Sequence, residues 1–193
     1  GILAISSRLK LVEAVVWCSR LCKIEKYTNI AVYVTIGLGF AVTLLAATKT
    51  VDADTINFAI ANGITCIGEN RVQELLEKFD ALDKSATRHH IGRLQTNKVK
   101  QVVGKVSLIQ SVDSLRLFQA IEKEAAKQGI VQDILLEVNI GGEESKSGLA
   151  PEEVLPLLDK IGEFPNIRVK GLMAIPPIRQ KNGDNSKFFQ KII

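Results

Sequence analysis

Lys49 ends the run V-T-L-L-A-A-T-K at 42–49, and a lysine in that position can do chemistry. An apolar run without polar alternation reads as a strand covered on both faces, as in a parallel sheet. The carboxyl ends of such strands carry the functional groups of α/β folds. Burial there lowers the pKa of an amine, and the neutral form attacks a carbonyl carbon to give a Schiff base. The plainer alternative is a solvated lysine at a strand end, the usual fate of that residue type.

Other polar residues follow apolar runs in the same manner. Glu69 and Asn70 come directly after I-G; they can exchange hydrogen bonds with a ligand, or Asn70 can simply cap the next helix. His90 can titrate near neutral pH or stack on a flat ring, and in the plainer reading it is a hydrogen-bonded structural residue. Strand alternation turns His89 the other way. Gln95, Asn97 and Lys98 gather amide and cationic groups in one turn, where a solvated helix start is the alternative. The loop G-G-E-E-S-K-S-G at 141–148 fails as a phosphate loop, because Ser145 rather than glycine precedes Lys146 and glycine rather than a helix follows Ser147. No G-x-S-x-G elbow and no H-E-x-x-H is present, so acyl hydrolysis and zinc peptidase chemistry lack candidates.

The elements that must position these groups alternate with regular rhythm. Apolar stripes predict helices over Thr50–Gly63 (Ala53, Ile56, Ala59, Ile60), Arg71–Leu82, Gln95–Val103, Ser114–Lys127 (Leu117, Phe118, Ile121, Ala125) and from Pro151 (Val154, Leu157, Leu158, Ile161). Between them lie strands at 42–48, 65–68, 86–92, 106–112, 133–140 and 168–175. Strand-then-helix units with short connections predict a parallel sheet with helices outside. A β/α barrel needs about eight such units, and six are visible here.

Composition narrows the class. A chain of 193 residues with 24% charged and 46% hydrophobic residues supports one sizeable core and no disordered or fibrous class. The net charge of +4 is spread along the chain, so nucleic acid is not an expected partner. Three irregularly spaced cysteines argue against a disulfide framework and for a reducing, cytoplasmic setting, compatible also with a mitochondrial one. Cys18 and Cys22 find no further ligand for a metal site, and Cys66 reads as a small core residue. Residues 27–48 carry no charge and satisfy the length criterion for a membrane span; the favoured reading is a buried strand after an apolar insertion, because a span would remove the first strand of the α/β pattern. An amphipathic helix is expected over Ser7–Leu21.

Five stretches in order carry a resemblance: L-L-A-A-T-K-T at 44–50, I-G-E-N-R-V-Q-E at 67–74, H-H-I-G-R-L-Q-T-N-K at 89–98, L-L-E-V-N-I-G-G-E-E-S-K-S-G at 135–148 and G-L-M-A-I-P-P at 171–177. Together they resemble the pyridoxal-phosphate homeostasis protein family, also described as the proline synthetase co-transcribed homologue family. The resemblance implies a fold-type III β/α barrel, TIM-barrel-like and similar to the N-terminal domain of alanine racemase. It implies pyridoxal 5′-phosphate (PLP) held as a Schiff base on Lys49, with Asn70, His90, Asn97 and Met173 lining the cofactor pocket. It further implies a role in intracellular homeostasis of the cofactor, without turnover.

Two departures from the family accompany it. The family's S-x-G-M-S and R-x-G phosphate motifs do not occur in these residues. The expectation is therefore a barrel domain over 42–193 that is truncated to about six units and holds phosphate weakly, since each charge-assisted bond is worth roughly 1.5–3 kcal/mol. Residues 1–41 are expected to form an N-terminal helix plus an atypical apolar insertion, where the family has a short polar linker. Three alternatives stand beside the homeostasis reading. A racemase or decarboxylase of the same fold type needs a tyrosine base, and the tyrosines are Tyr27 and Tyr33 in the insertion. A cofactor-free Schiff-base aldolase needs Glu69 or Glu137 beside Lys49. A truncated product would bind nothing.

Overall fold

The computed structural model describes residues 31–36, 42–143 and 146–176. The helix expected over Ser7–Leu21, Cys18 and Cys22, and the segment after Pro176 lie outside the described residues. The chain divides into two compact units, the first ending at Arg88 and the second beginning at His89.

In the first unit, β1 (Ala31–Ile36) runs antiparallel to β2 (Val42–Ala47), in register from Ala31 opposite Ala47 to Ile36 opposite Val42. The sequence led us to expect only parallel strands. Part of the apolar insertion instead supplies an antiparallel neighbour, the pairing that a short connection between adjacent strands permits. Residues 31–36 and 42–47 are strands, not a membrane-spanning helix, and no helix among the described residues is long and apolar enough to cross a membrane. β2 then pairs in parallel with β3 (Cys66–Glu69), Ala46 opposite Ile67 and Ala47 opposite Gly68.

The crossover between them is α1 (Ala53–Ala61). Asp52 caps it by accepting from the Thr55 amide at 2.8 Å, which satisfies one orphan donor of the first turn. Asn62 ends it, and Gly63 follows with φ 101°, the left-handed residue that a helix exit favours. Ile56 and Ile60 of α1 pack with Ala46, Val51, Ile64, Ile67, Leu82 and Ala86 in one buried cluster, as the stripe predicted. α2 (Val72–Lys78) follows β3 and buries Val72 and Leu75.

β4 (Thr87–His90) begins in the first unit, where the Thr87 amide donates to the Thr65 carbonyl at 2.9 Å, and ends in the second. There it pairs in parallel with β5 (Leu108–Val112), β5 with β6 (Gln132–Glu137), and β6 with β7 (Ile167–Met173). α3 (Leu115–Gln128) buries Leu117, Phe118, Ile121 and Ala125, capped by Ser114 and closed by Gly129 at φ 67°. Phe118 meets Phe164 edge to face at 4.9 Å. α4 (Pro151–Asp159) buries Val154 and Leu157. One expected helix differs in kind, since residues Thr96–Gln101 form a 3-10 helix. Val99 is buried within it and Val102 and Val103 directly after it, so the expected apolar face is kept while the turn is tighter, the Lys98 amide donating three residues back to the Gln95 carbonyl at 2.9 Å.

Candidate functional site

The carboxyl ends of β2 and β3 are stitched together by side chains. Thr48, 1% exposed, donates its amide to the Gly68 carbonyl at 2.9 Å and its hydroxyl to Glu69 Oε1 at 2.6 Å. Continuing that register puts Lys49 opposite Asn70. Lys49 is exposed, in the turn that follows β2. The turn closes by a hydrogen bond from the Val51 amide to the Thr48 carbonyl at 3.2 Å, and its third residue, Thr50, has φ 61°. A β-branched residue in the left-handed region costs about 1–3 kcal/mol, so other contacts must hold it there. The Thr50 amide donates to Glu74 Oε2 at 2.7 Å.

Lys78, in the last turn of α2, gathers this network. Its Nζ donates to the Thr48 carbonyl at 3.0 Å and to Glu69 Oε1 at 3.0 Å, and lies 3.5 Å from Glu74 Oε2. Glu69 is 2% exposed, so this is a buried ion pair, and removing one partner of such a pair costs about 3–5 kcal/mol. The Glu74 carboxyl is held below the usual carboxylate range chiefly by the Thr50 amide, with Lys78 and Arg71 adding their charges against the opposing effect of burial. Asn70 is half-buried, and its buried Oδ1 has no partner.

The second unit places His90 at the end of β4, completely buried and with neither ring nitrogen hydrogen-bonded. Burial pushes its pKa down to about 4; the Gly92 backbone pulls the other way without reaching hydrogen-bond geometry. His89 faces a different environment, as alternation required. It is half-buried, its Nδ1 accepts from Gln110 Nε2 at 2.9 Å, and burial lowers its pKa to about 4.

Glu137 ends β6, 8% exposed, and accepts from the Ser147 hydroxyl at 3.0 Å. Burial pushes its carboxyl up, a tendency that the Ser147 hydroxyl and Arg93 oppose and the Asp113 charge reinforces. The loop from Asn139 to Gly148 is tied back to this strand end. The Leu149 amide donates to the Glu137 carbonyl at 2.8 Å and the Asn139 amide to the Leu149 carbonyl at 2.9 Å. Asn139 Nδ2 donates to the Glu143 carbonyl at 2.9 Å, leaving its buried Oδ1 unpartnered. Met173 ends β7 half-buried, its carbonyl accepting from the Val138 amide at 2.8 Å. Asn97 is exposed in the 3-10 helix.

Of the five residues predicted from sequence, Lys49 and Asn70 thus follow the ends of neighbouring strands of the first unit. His90 and Met173 close strands of the second, and Asn97 lies exposed in the 3-10 helix between β4 and β5. Sequence reasoning missed the part taken by Lys78. The one signal for it was its spacing four residues after Glu74 on a helix. Glu69, read from sequence as a ligand contact or proton shuttle, commits one carboxylate oxygen to Thr48 and Lys78, while its other oxygen is buried without a partner.

A model of the alanine racemase N-terminal domain family matches residues 38–191. The chain belongs to the alanine racemase N-terminal domain family. Its parallel strands with intervening helices fit the β/α fold of that family, as the motifs led us to expect. Among members of the family, it is similar to the pyridoxal phosphate homeostasis protein of Aquifex aeolicus, 49% identical over 150 residues, which cover 77% of this chain and 66% of that one. The crystal structure of a protein from Bifidobacterium adolescentis superposes with a TM-score of 0.71 at 38% identity, over 77% of this chain and 64% of its own. PipY of Synechococcus elongatus PCC7942, in a structure with PLP bound, superposes with a TM-score of 0.64 at 28% identity, over 77% of this chain and 73% of its own. The chain spans about two thirds of the length of the curated relatives it matches. The likeness to pyridoxal phosphate homeostasis proteins seen in the motifs is thereby borne out.

Proposed function

We propose that the chain binds PLP for intracellular cofactor homeostasis, with Lys49 taking up its aldehyde and Asn70, His90, Asn97 and Met173 as its contacts. The observation that carries this reading is His90: a completely buried ring at the carboxyl end of a strand with both nitrogens unpartnered. Buried polar groups in folded proteins are almost always paired, so an orphaned ring marks a place where a ligand supplies the missing partner or lies against the ring face. Asn70 Oδ1 is orphaned in the same way, and the exposed Lys49 amine is open to reagents. Each is a kind of group that a polar aromatic cofactor takes up, Lys49 and Asn70 in the first unit and His90 in the second.

When bound, PLP supplies an aldehyde that condenses reversibly with a primary amine. Lys49 provides that amine, and its turn holds the residue at the end of β2. His90, kept neutral by burial, can donate from one nitrogen and accept at the other. Reversible storage of a reactive aldehyde needs no group to abstract a proton from a substrate carbon, only exchange of the amine's proton and of the water released, which suits relatives named for homeostasis. The setting in this reading is cytoplasmic, where a buried thiol such as that of Cys66 stays reduced.

The test is an absorbance spectrum of the chain mixed with PLP, beside Lys49→Ala, followed by borohydride trapping and peptide mapping. A band and a trapped adduct that depend on Lys49 are expected. Identical behaviour of the two chains would overturn the reading.

A further inference from the structure

Both peptide groups that flank Lys49 are held from one helix. The carbonyl of the Thr48–Lys49 peptide accepts from Lys78 Nζ at 3.0 Å, and the amide of the Lys49–Thr50 peptide donates to Glu74 Oε2 at 2.7 Å. Peptide groups are planar, so fixing the two planes on either side of a residue fixes both of its soft backbone dihedrals. The two anchors are one turn apart on α2 and 3.5 Å from each other. Glu69 braces Lys78 from beneath, and the Thr48 hydroxyl meets the same carboxylate oxygen at 2.6 Å. Thr50 is meanwhile kept at φ 61°, a conformation that threonine leaves once its amide is released.

We infer that Lys78 and Glu74 are positioning residues for Lys49, a two-point clamp that fixes the backbone from which the lysine side chain departs. The inference rests on the proposed role of Lys49 and adds to it the residues that aim the amine. Neither acts on the cofactor. Lys78 spends its ammonium on a carbonyl and two carboxylates, and Glu74 spends one oxygen on an amide. A lysine on a loose turn would reach the same aldehyde, but only from a fraction of its conformations, and misplacement of a reacting group is costly in rate.

The experiment uses the full chain with three substitutions: Lys78→Met, Lys78→Arg and Glu74→Ala. Two quantities are read, the amide hydrogen-exchange rate of Thr50 without cofactor and the rate at which PLP becomes borohydride-trappable on Lys49. Glu74→Ala is expected to accelerate Thr50 exchange by at least about tenfold and to slow adduct formation by a similar factor. Lys78→Met should also slow adduct formation, and Lys78→Arg should restore most of it. Should Lys78→Met lose its cooperative melt, Glu74→Ala decides alone, because its carboxylate is largely shielded but not part of the core. Unchanged Thr50 exchange together with wild-type adduct rates would overturn the clamp. If wild type itself carries no adduct on Lys49, the binding reading falls, and Thr50 exchange by itself decides whether the clamp exists.

Discussion

Replacing the completely buried His90 with leucine should stabilise the chain near neutral pH, or leave it unchanged. The ring brings one donor and one acceptor into the interior and pairs neither. Each unsatisfied buried group costs about 1–3 kcal/mol. Leucine has a similar volume and no polar atoms, and imperfect repacking of such a swap costs less than about 1.5 kcal/mol. The balance favours His90→Leu by roughly 1–2 kcal/mol. Acid should widen the gap. The folded-state pKa of His90, about 4, lies below the ordinary 6.5, so between those values the unfolded chain binds more protons. The stability tied to the neutral ring is whole above the unfolded value and is lost as pH falls toward the folded one. Between about pH 7 and about pH 5 the wild type should lose roughly 2 kcal/mol through this group alone, and His90→Leu should lose none of it. His89 contributes equally to both chains and cancels in the difference. Urea unfolding of both proteins at the two pH values measures all four stabilities. A variant less stable than wild type by more than about 2 kcal/mol at neutral pH, or one with an undiminished acid loss, would refute the reasoning. A stabilised variant that no longer traps PLP would show a binding group kept at the expense of stability.

Three further outcomes are expected. Gly148→Ala should destabilise by about 3–5 kcal/mol in urea unfolding, combining left-handed strain with the loss of backbone bonds. Gly148 has φ 122°, and a Cβ there would sit 2.7 Å from the Asn139 nitrogen and 3.0 Å from the Val138 carbonyl carbon, backbone atoms that cannot swing aside. Phe118→Ala should cost about 3–5 kcal/mol by the same measurement, since it empties a fully buried aromatic site against Phe164. Lys49→Ala should change stability by no more than about 0.5 kcal/mol while abolishing the trapped adduct, as expected for an exposed side chain outside the core.

The helices and parallel strands were legible where periodicity is strong and local. The stripe of Leu117, Phe118, Ile121 and Ala125 fixes α3, with Ser114 and Gly129 marking its ends, because caps and stripes are written within a few residues of one another. Lys49 and Asn70 were legible as residues at the carboxyl ends of strands for the same reason. The 3-10 character of Thr96–Gln101 was not, because apolar residues three and four apart suit either helix type and do not choose between them. The clamp was invisible as well: Thr48 and Lys78 are thirty residues apart in sequence, and the pairing depends on α2 returning over the end of β2. Nothing in T-K-T-V announces a positive φ at Thr50, since threonine is a residue that a turn of this kind normally avoids. His90 was legible as a candidate, but its isolation was not, because an orphaned nitrogen is a property of everything that fails to touch it.

β1 decides which strand edge the sheet presents. V-T-L-L-A-A, free of charge and proline, has the composition of segments that stack between molecules when their backbone groups are bare. β1 runs in register with all of β2, from Ala31 to Ile36, so that side of the strand preceding Lys49 is already occupied. β1 thus covers the edge of β2 and becomes the outermost strand of the sheet among the described residues, so the edge open to pairing moves from the strand before Lys49 to A-V-Y-V-T-I, a run equally free of charge and proline.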